Sequence, residues 1–413
     1  MSEPHPVGPD LSERQRAQIR LFLEEICCEI CRFEHVERDG VAPERIQIRR
    51  ELALGAPGSF ADIEVEAPGV APYFVEVKYG YPAERLVRHL ARKYGTPTPR
   101  IQRGAKVVLV LASAHYLDWP ALRARLEGAV GGGLALEIWD ESDLRQRVRE
   151  RFGVELSGMM LDQHAEELRA AIDKAKWRSA FGQRWEGSTL QASLLWHFGF
   201  WRLRQLHTDR GLEPAQVLPP GRYQNVAIVL ADLCAYSSYV RDTRESEVVR
   251  DALTTFYSNA RFAVLNSGGM LVGFVGDEVV ALFGAPERHE GYVERALECA
   301  RSLVEIGNSV SNKWQRQIDR VQSAGGVHVG IGIGDLEIVP LRPFSRNHMG
   351  VIGDAINMAA RLTHTAGPSE IVVSNTFFHE LDELSQAGFE EIAPVEAHNV
   401  GLIKCWRLCL GSS

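Results

Sequence analysis

Two aspartates stand where rigid apolar segments would deliver them. Asp232 closes the run VAIVLA, and Asp277 lies in the turn Gly276–Asp277–Glu278 between two apolar stretches. A carboxylate at the end of a buried strand is held in place and presents only its tip to solvent. Hard divalent cations are bound by one or two such carboxylates together with substrate phosphates. Two ions about 4 Å apart can activate an attacking oxygen and clamp a leaving one. Downstream, Asn357 and Arg361 in INMAAR are spaced i, i+4 and share one helix face. An arginine there can neutralise charge on a transferred phosphoryl group. Taken singly, these are a turn aspartate and a solvated helix face; the set, in this order, carries the chemistry.

A second constellation lies earlier. Asp62 follows GSFA, and Glu76 and Lys78 sit in YFVEVKYG. Residues 76 and 78 point to one face of a strand, because side chains alternate. Glu51 precedes them. The plain alternative is a solvated edge strand. Two other patterns carry less. Cys28 and Cys31, with His35 a turn later, have zinc-like spacing but no second ligand pair nearby, which favours a buried helix face. Gly330, Gly332 and Gly334 lack the helix that a dinucleotide-binding loop opens, so they read as small residues closing a tight turn.

The elements that must position these groups fall into three parts. Residues 1–10 carry three prolines and read as disordered. A helix is expected over 11–35, then short strands at 45–50, 62–66 and 73–79, a helix at 83–93, and buried strands at 106–111 and 134–139. This alternation predicts an α/β domain over residues 1–155. Residues 156–220 read as a Trp-rich helical connector, with Trp177, Trp185, Trp196 and Trp201 packing on neighbours, ended by Pro219, Pro220 and Gly221. From 221 to 413 the pattern is a strand to Asp232, a helix at 245–265, a hairpin, a helix at 287–310, a strand pair, a helix at 355–365 and a strand at EIVVS. A βαββαβ order with a central hairpin is ferredoxin-like. The fold class is therefore α/β (α+β).

Composition narrows the surroundings. The 413 residues are 45% hydrophobic and 24% charged, ordinary for a globular protein. A net charge of −8 gives no case for bulk nucleic-acid binding, although a local basic patch stays open. Seven scattered cysteines are not a disulfide framework and fit a reducing compartment. The N-terminus lacks an apolar core segment, and no run reaches the roughly 20 apolar residues of a membrane helix. A cytoplasmic protein with no membrane partner is expected.

Over residues 222–410 the chain resembles the class III adenylate/guanylate cyclase family. VLADLCAYSSYV looks like its first metal motif, GGMLVGFVGDEVVALFG like its second-metal hairpin, and MGVIGDAINMAARL like its transition-state helix. The resemblance implies that Asp232 and Asp277, helped by the Leu233 carbonyl, bind two divalent ions, Mn2+ or Mg2+. It implies that Asn357 orients the ribose of a nucleoside triphosphate and Arg361 stabilises the α-phosphate as pyrophosphate leaves. Each site of the family is shared between subunits, so a head-to-tail homodimer follows.

The base-reading positions depart from the family's usual pattern. Its adenylate cyclases carry Lys where Gly273 stands and Asp or Thr where Gly350 stands; its guanylate cyclases place Glu and Cys there. Neither glycine offers a side-chain hydrogen bond, which removes the main means of rejecting a wrong base. In this respect the chain resembles the bacterial pyrimidine (uridylate/cytidylate) cyclases of Pycsar anti-phage systems. That implies UTP ahead of CTP, and cUMP as messenger to a separate effector protein. Tyr236, in place of the usual Phe, is either a base contact or a packing substitute. An adenylate cyclase with relaxed base recognition stays open. So does a nuclease regulated by a nucleotide-binding cyclase-like domain. The family's phosphate-gripping Lys falls near Val400, with Lys404 close by. The order Glu51, Asp62, Glu76-x-Lys78 resembles the restriction-endonuclease-like superfamily, in which a helix Glu, an Asp and an ExK strand gather a metal and activate water. The N-terminal domain is then catalytic, sensory or structural, and a nucleic-acid partner stays open.

Overall fold

The structure, a computed structural model, describes residues 13–55, 59–96, 98, 100–101, 105–112, 119–131, 133–155, 164–318, 325–341, 349–397 and 401–410. Residues 1–10, expected to be disordered, lie outside them, as does Val400. The chain divides into two units, Met1–Ala175 and Lys176–Ser412.

The first unit opens with α1 (Glu13–Arg38), followed by β1 (Gln47–Ala53), β2 (Phe60–Ala67), β3 (Val70–Tyr79), α2 (Ala83–Tyr94), β4 (Lys106–Ala112), α3 (Trp119–Ala129), β5 (Ala135–Trp139) and α4 (Glu141–Phe152). The sheet order is β1-β2-β3-β4-β5. The first three strands form an antiparallel meander, and β4 and β5 run parallel to β3. The run KVVLVLA becomes β4 because both of its faces are covered. Val107, Leu109 and Leu111 pack with Leu86, Leu90, Leu122 and Leu126 of α2 and α3. The charged sequence of α4 hides its helix, but Asp140 caps it through the Ser142 and Asp143 N–H groups, and Gly153 ends it at φ +63°. Cys27, Cys28 and Cys31 are buried on α1, and His35 bonds to Asp39 and to the Tyr73 hydroxyl.

The helix α5 (Ala165–Phe181) runs from the first unit into the second, and α6 (Thr189–Arg210) follows it. Then come β6 (Gly221–Leu233), α7 (Tyr236–Asp242), α8 (Ser246–Asn266), β7 (Met270–Val275), β8 (Glu278–Phe283), α9 (Tyr292–Ile318), β9 (Val327–Pro340) and β10 (Met349–Ile352). The chain closes with α10 (Asp354–Thr365), β11 (Glu370–Ser374), α11 (Asn375–Glu380), α12 (Glu383–Gln386), β12 (Phe389–Ala397) and β13 (Gly401–Cys409). The eight-stranded sheet runs β12-β13-β11-β9-β6-β8-β7, with β10 paired to β9. Its segment β6–α8–β7–β8–α9–β9 is the expected βαββαβ order, and the spatial order β9-β6-β8-β7 is ferredoxin-like.

In this sheet one expectation is overturned. The stretch GVHVGIGIGDLEIV is not a strand pair; it is one 14-residue strand, and its glycines close no turn. The odd residues Val327, Val329, Ile331 and Ile333 face the core built with α8 and α9. The even residues face α10. A Cβ at Gly330 would lie 2.3 Å from the Thr363 nitrogen and 2.4 Å from the Ala359 oxygen; at Gly332 it would lie 3.1 Å from the Ala355 oxygen. The glycines let a helix backbone rest directly on the strand. Signals of turn and close approach look alike in sequence, because both need a missing side chain.

On the other flank, α6 covers the edge strand β7. It breaks at Gly199 (φ +67°, ψ 173°). The Leu195 and Trp196 carbonyls near the break accept from the Arg261 guanidinium at 2.8 and 3.3 Å. His197 Nδ1 meets the Leu271 carbonyl at 2.6 Å, beside a bulge in β7. Trp177 is buried against Phe181 and Trp185, whereas Trp196 is half-exposed beside Phe274.

Candidate active site

The strand β6 delivers Asp232 at its last turn of the ladder. The residues Ile228 and Leu230, four and two before it, share its face of the sheet, while Val229, Ala231 and Leu233 enter the α8/α9 core. The chain then turns sharply at Ala235, a non-glycine at φ +56°, with the Cys234 N–H donating to the Gly326 carbonyl at 3.0 Å. Asp277 comes from the β7–β8 turn next door. That turn is tied to α8, because the Tyr257 hydroxyl donates to the Gly276 carbonyl and its ring packs, tilted by 34°, against Phe274 at 4.4 Å.

The two carboxylates meet. Asp277 and Asp232 are within hydrogen-bonding reach of each other. Burial, then the Asp232 carboxylate beside it, pushes the Asp277 carboxyl up to about 7. Burial raises Asp232 most, but the hydrogen bonds from His328 and Asp277 and the charges of His328 and His364 together outweigh it and hold this carboxyl below its usual value. His328 Nε2 lies 3.2 Å from Asp232 Oδ2; burial lowers the imidazole, but this contact and the one to Cys234 together raise it to about 9. Two carboxylates forced together need a positive partner, and a divalent cation is the partner such a pair is built to take. The donor set fits hard cations.

Asn357 and Arg361 are exposed on α10, one turn apart, and among the described residues neither hydrogen-bonds or ion-pairs with an aspartate. The structure therefore brings Asp232 and Asp277 together and leaves Asn357 and Arg361 exposed on α10.

Residues 218–408 match the family described as the adenylate and guanylate cyclase catalytic domain. This segment is a class III cyclase domain. Among its relatives, soluble guanylate cyclase gcy-31 of Caenorhabditis elegans is 24% identical over 163 residues, 39% of this chain and 22% of that protein. A uridylate cyclase of Burkholderia cepacia is 24% identical over 177 residues, 42% of this chain and 75% of that protein. A crystal structure of the guanylyl cyclase Cya2 aligns at 21% identity with a TM-score of 0.39, covering 47% of this chain and 96% of that one. The chain thus spans less than a quarter of the nematode relative. No described helix is long and apolar enough to cross a membrane.

Within the cyclase domain, Gly273 sits at the β7 bulge, and a Cβ there would meet nothing within 4 Å. Gly350 lies on β10, where a Cβ would come 2.5 Å from the tip of Leu341, a flexible and exposed side chain. Neither position is glycine for lack of room. Tyr236 opens α7 edge-on to Trp314, and its phenol is raised by burial and then by Asp277. Lys404 lies on β13 facing solvent. His328 and Tyr257 are missed by motif reading. Only the register pairing of His328 with Asp232, and the packing of α8 on the hairpin, bring them in.

The N-terminal constellation also assembles, with one change. Lys78 Nζ donates to Asp62 at 2.6 Å and to Glu76 at 2.7 Å, so the two carboxylates converge on one cation. Lys93 of α2 adds contacts of 2.9 Å to Glu76 and 3.6 Å to Asp62, and the Tyr94 hydroxyl donates to Glu76 at 2.7 Å. Glu51 is not a helix residue. It lies in β1 at φ +56°, where the ladder skips it between Arg50 and Leu52. The buried helix glutamate is Glu24 of α1, paired with Arg50.

Proposed function

We propose that the chain is a nucleotidyl cyclase that forms a 3′,5′-cyclic pyrimidine nucleotide, cUMP ahead of cCMP, and pyrophosphate. The observation that carries this reading is the meeting of Asp232 and Asp277 inside a cyclase domain whose two base-reading positions are glycine. The Burkholderia cepacia relative named as a uridylate cyclase adds support. Two divalent ions, Mn2+ or Mg2+, held by Asp232, Asp277 and the Leu233 carbonyl, would supply charge for the triphosphate and acidify the 3′-hydroxyl. Asn357 of the partner subunit orients the ribose, and Arg361 of the partner subunit neutralises charge at the α-phosphate. The 3′-oxygen bonds to the α-phosphorus as the α–β bridging bond breaks. Pyrophosphate leaves with the electron pair, and the hydroxyl proton passes to water. A symmetric dimer would hold two such sites. The product serves as a cytoplasmic second messenger for a separate effector, with phage infection as the trigger.

The test is incubation of the pure protein with ATP, GTP, CTP and UTP separately, with Mn2+, and identification of products by mass spectrometry. Cyclic UMP or CMP supports the reading. Cyclic AMP alone returns the protein to adenylate cyclase chemistry, and no product from any triphosphate removes the enzymatic reading.

The convergence of Asp62, Glu76 and Lys78 favours a second reading for the first unit, a metal-dependent phosphodiester hydrolase acting on nucleic acid. Cleavage of DNA or RNA that disappears in Lys78→Ala supports it. No cleavage by the wild type leaves the unit a sensing or assembly module.

A further inference from the structure

We infer that His328 is a positioning residue for Asp232, fixing the carboxylate that receives the ions. The inference rests on the cyclase reading above and names a residue that no motif of the domain includes.

The argument is geometric. Asp232 and His328 are direct partners in the antiparallel register of β6 and β9, so their side chains rise side by side from one face of the sheet. The imidazole is engaged at both ends. Nε2 lies 3.2 Å from Asp232 Oδ2, and Nδ1 lies 3.6 Å from Cys234 Sγ. Cys234 is 2% exposed, and its backbone N–H is bonded to Gly326, so the ring leans on a fixed anchor. A ring held at two nitrogens has one orientation. It engages one carboxylate oxygen, Oδ2, and holds the group against rotation, which fixes the direction in which the other oxygen, Oδ1, faces. Nε2, the nitrogen on the site side, is committed to the carboxylate, so the ring orients the ligand in place of ligating. Outer partners that fix a ligating group in this way commonly contribute tenfold to a hundredfold in metal affinity.

The test uses the full-length protein and Mn2+ alone, with free Mn2+ followed by electron paramagnetic resonance. His328→Phe keeps the ring volume and loses the hydrogen bond; His328→Gln keeps a donor. Wild-type melting temperatures qualify each variant as folded, and His328→Ala replaces the Phe variant should that one fail. Phe is expected to weaken Mn2+ binding by about tenfold to a hundredfold, and Gln to recover most of the loss. The Mn2+ concentration for half-maximal turnover should shift in parallel. Unchanged or tighter Mn2+ binding in folded His328→Phe, or equal losses in Phe and Gln, would overturn the role. Asp232→Ala is the control for the underlying reading. Loss of Mn2+ binding there, with none in His328→Phe, removes only the positioning role. Retained binding and turnover in Asp232→Ala would remove the cyclase site itself.

Discussion

At the scale of single residues, the proposed base specificity turns on two missing side chains. A site without hydrogen-bonding groups at the base edge discriminates weakly, whereas one built to bond a purine rejects what cannot bond back. Gly273 has open space around its Cβ position, and the neighbour of Gly350 is the movable tip of Leu341. Both can therefore accept larger residues without displacing backbone. The double variant Gly273→Lys, Gly350→Asp should raise the ratio of cAMP to cyclic pyrimidine product by tenfold or more in order of magnitude, the worth of one or two new bonds. Product ratios measured with equimolar ATP and UTP decide it; an unchanged ratio would mean that these positions do not line the base pocket. In the first unit, the buried ion pairs make a pH prediction. Burial alone would raise the Glu76 carboxyl, but the Lys78 and Lys93 ammonium groups hold it well below the usual range, and Asp62 is lowered in the same net sense. Depressed carboxyls stabilise the folded state fully above their unfolded values, about 4, and that contribution is lost as pH falls from there. Hydrogen exchange in β2 and β3 should therefore accelerate below about pH 4. In Glu76→Gln the acid dependence should flatten while neutral-pH stability drops, because the variant leaves the buried Lys78 and Lys93 with the Asp62 carboxylate alone between them. Equal acid limbs in the two proteins would contradict the assignment.

At the scale of elements, the contact of α10 with β9 is the point where fold and chemistry meet. The helix carries Asn357 and Arg361, and it rests on glycine backbone. Gly330→Ala would place a methyl 2.3 Å from the Thr363 nitrogen, and the helix backbone cannot yield there without moving the whole element. Overpacking of this kind costs about 1–3 kcal/mol. Gly332→Ala meets its nearest atom at 3.1 Å and should cost much less. Thermal melts and turnover of the two variants should rank accordingly, with Gly330→Ala losing activity beyond its loss of stability; equal effects would mean that α10 adapts freely. This contact also marks the limit of what the sequence discloses. The placement of Asp232 at a strand end and of Asp277 in a hairpin turn was legible because an apolar run ending in Asp is a local pattern. The βαββαβ order was legible because hydrophobic period changes along the chain. The role of the glycines was not, because a missing side chain signals a turn and a close approach alike. Nor was Glu24 legible as the buried helix carboxylate of the first unit. Its partner Arg50 is 26 residues away, and pairing at that distance is set by packing. His328 stayed hidden for the same reason: its meaning comes from the strand opposite.

At the scale of the whole molecule, the proposed sharing of each site between two subunits has a consequence that single variants cannot reveal. Asp232 and Asp277 meet within one chain, whereas Asn357 and Arg361 stand exposed on α10 without touching them. If each working site takes aspartates from one subunit and Asn and Arg from the other, Asp277→Ala and Arg361→Ala homodimers both lack every complete site. A mixed dimer has one site carrying both defects and one carrying none. Equal mixing with free exchange gives about half mixed dimers by simple statistics, each with one intact site, so turnover should recover to roughly a quarter of wild type. The measurement is turnover after co-refolding or co-expression of the two variants, with subunit exchange verified by differently tagged chains. Recovery cannot come from a site contained in one chain, because each chain remains defective. Verified mixed dimers without any turnover would mean that aspartates and arginine must act from the same chain, and α10 would then have to reach its own β6 through a rearrangement that the glycine-tight contact opposes.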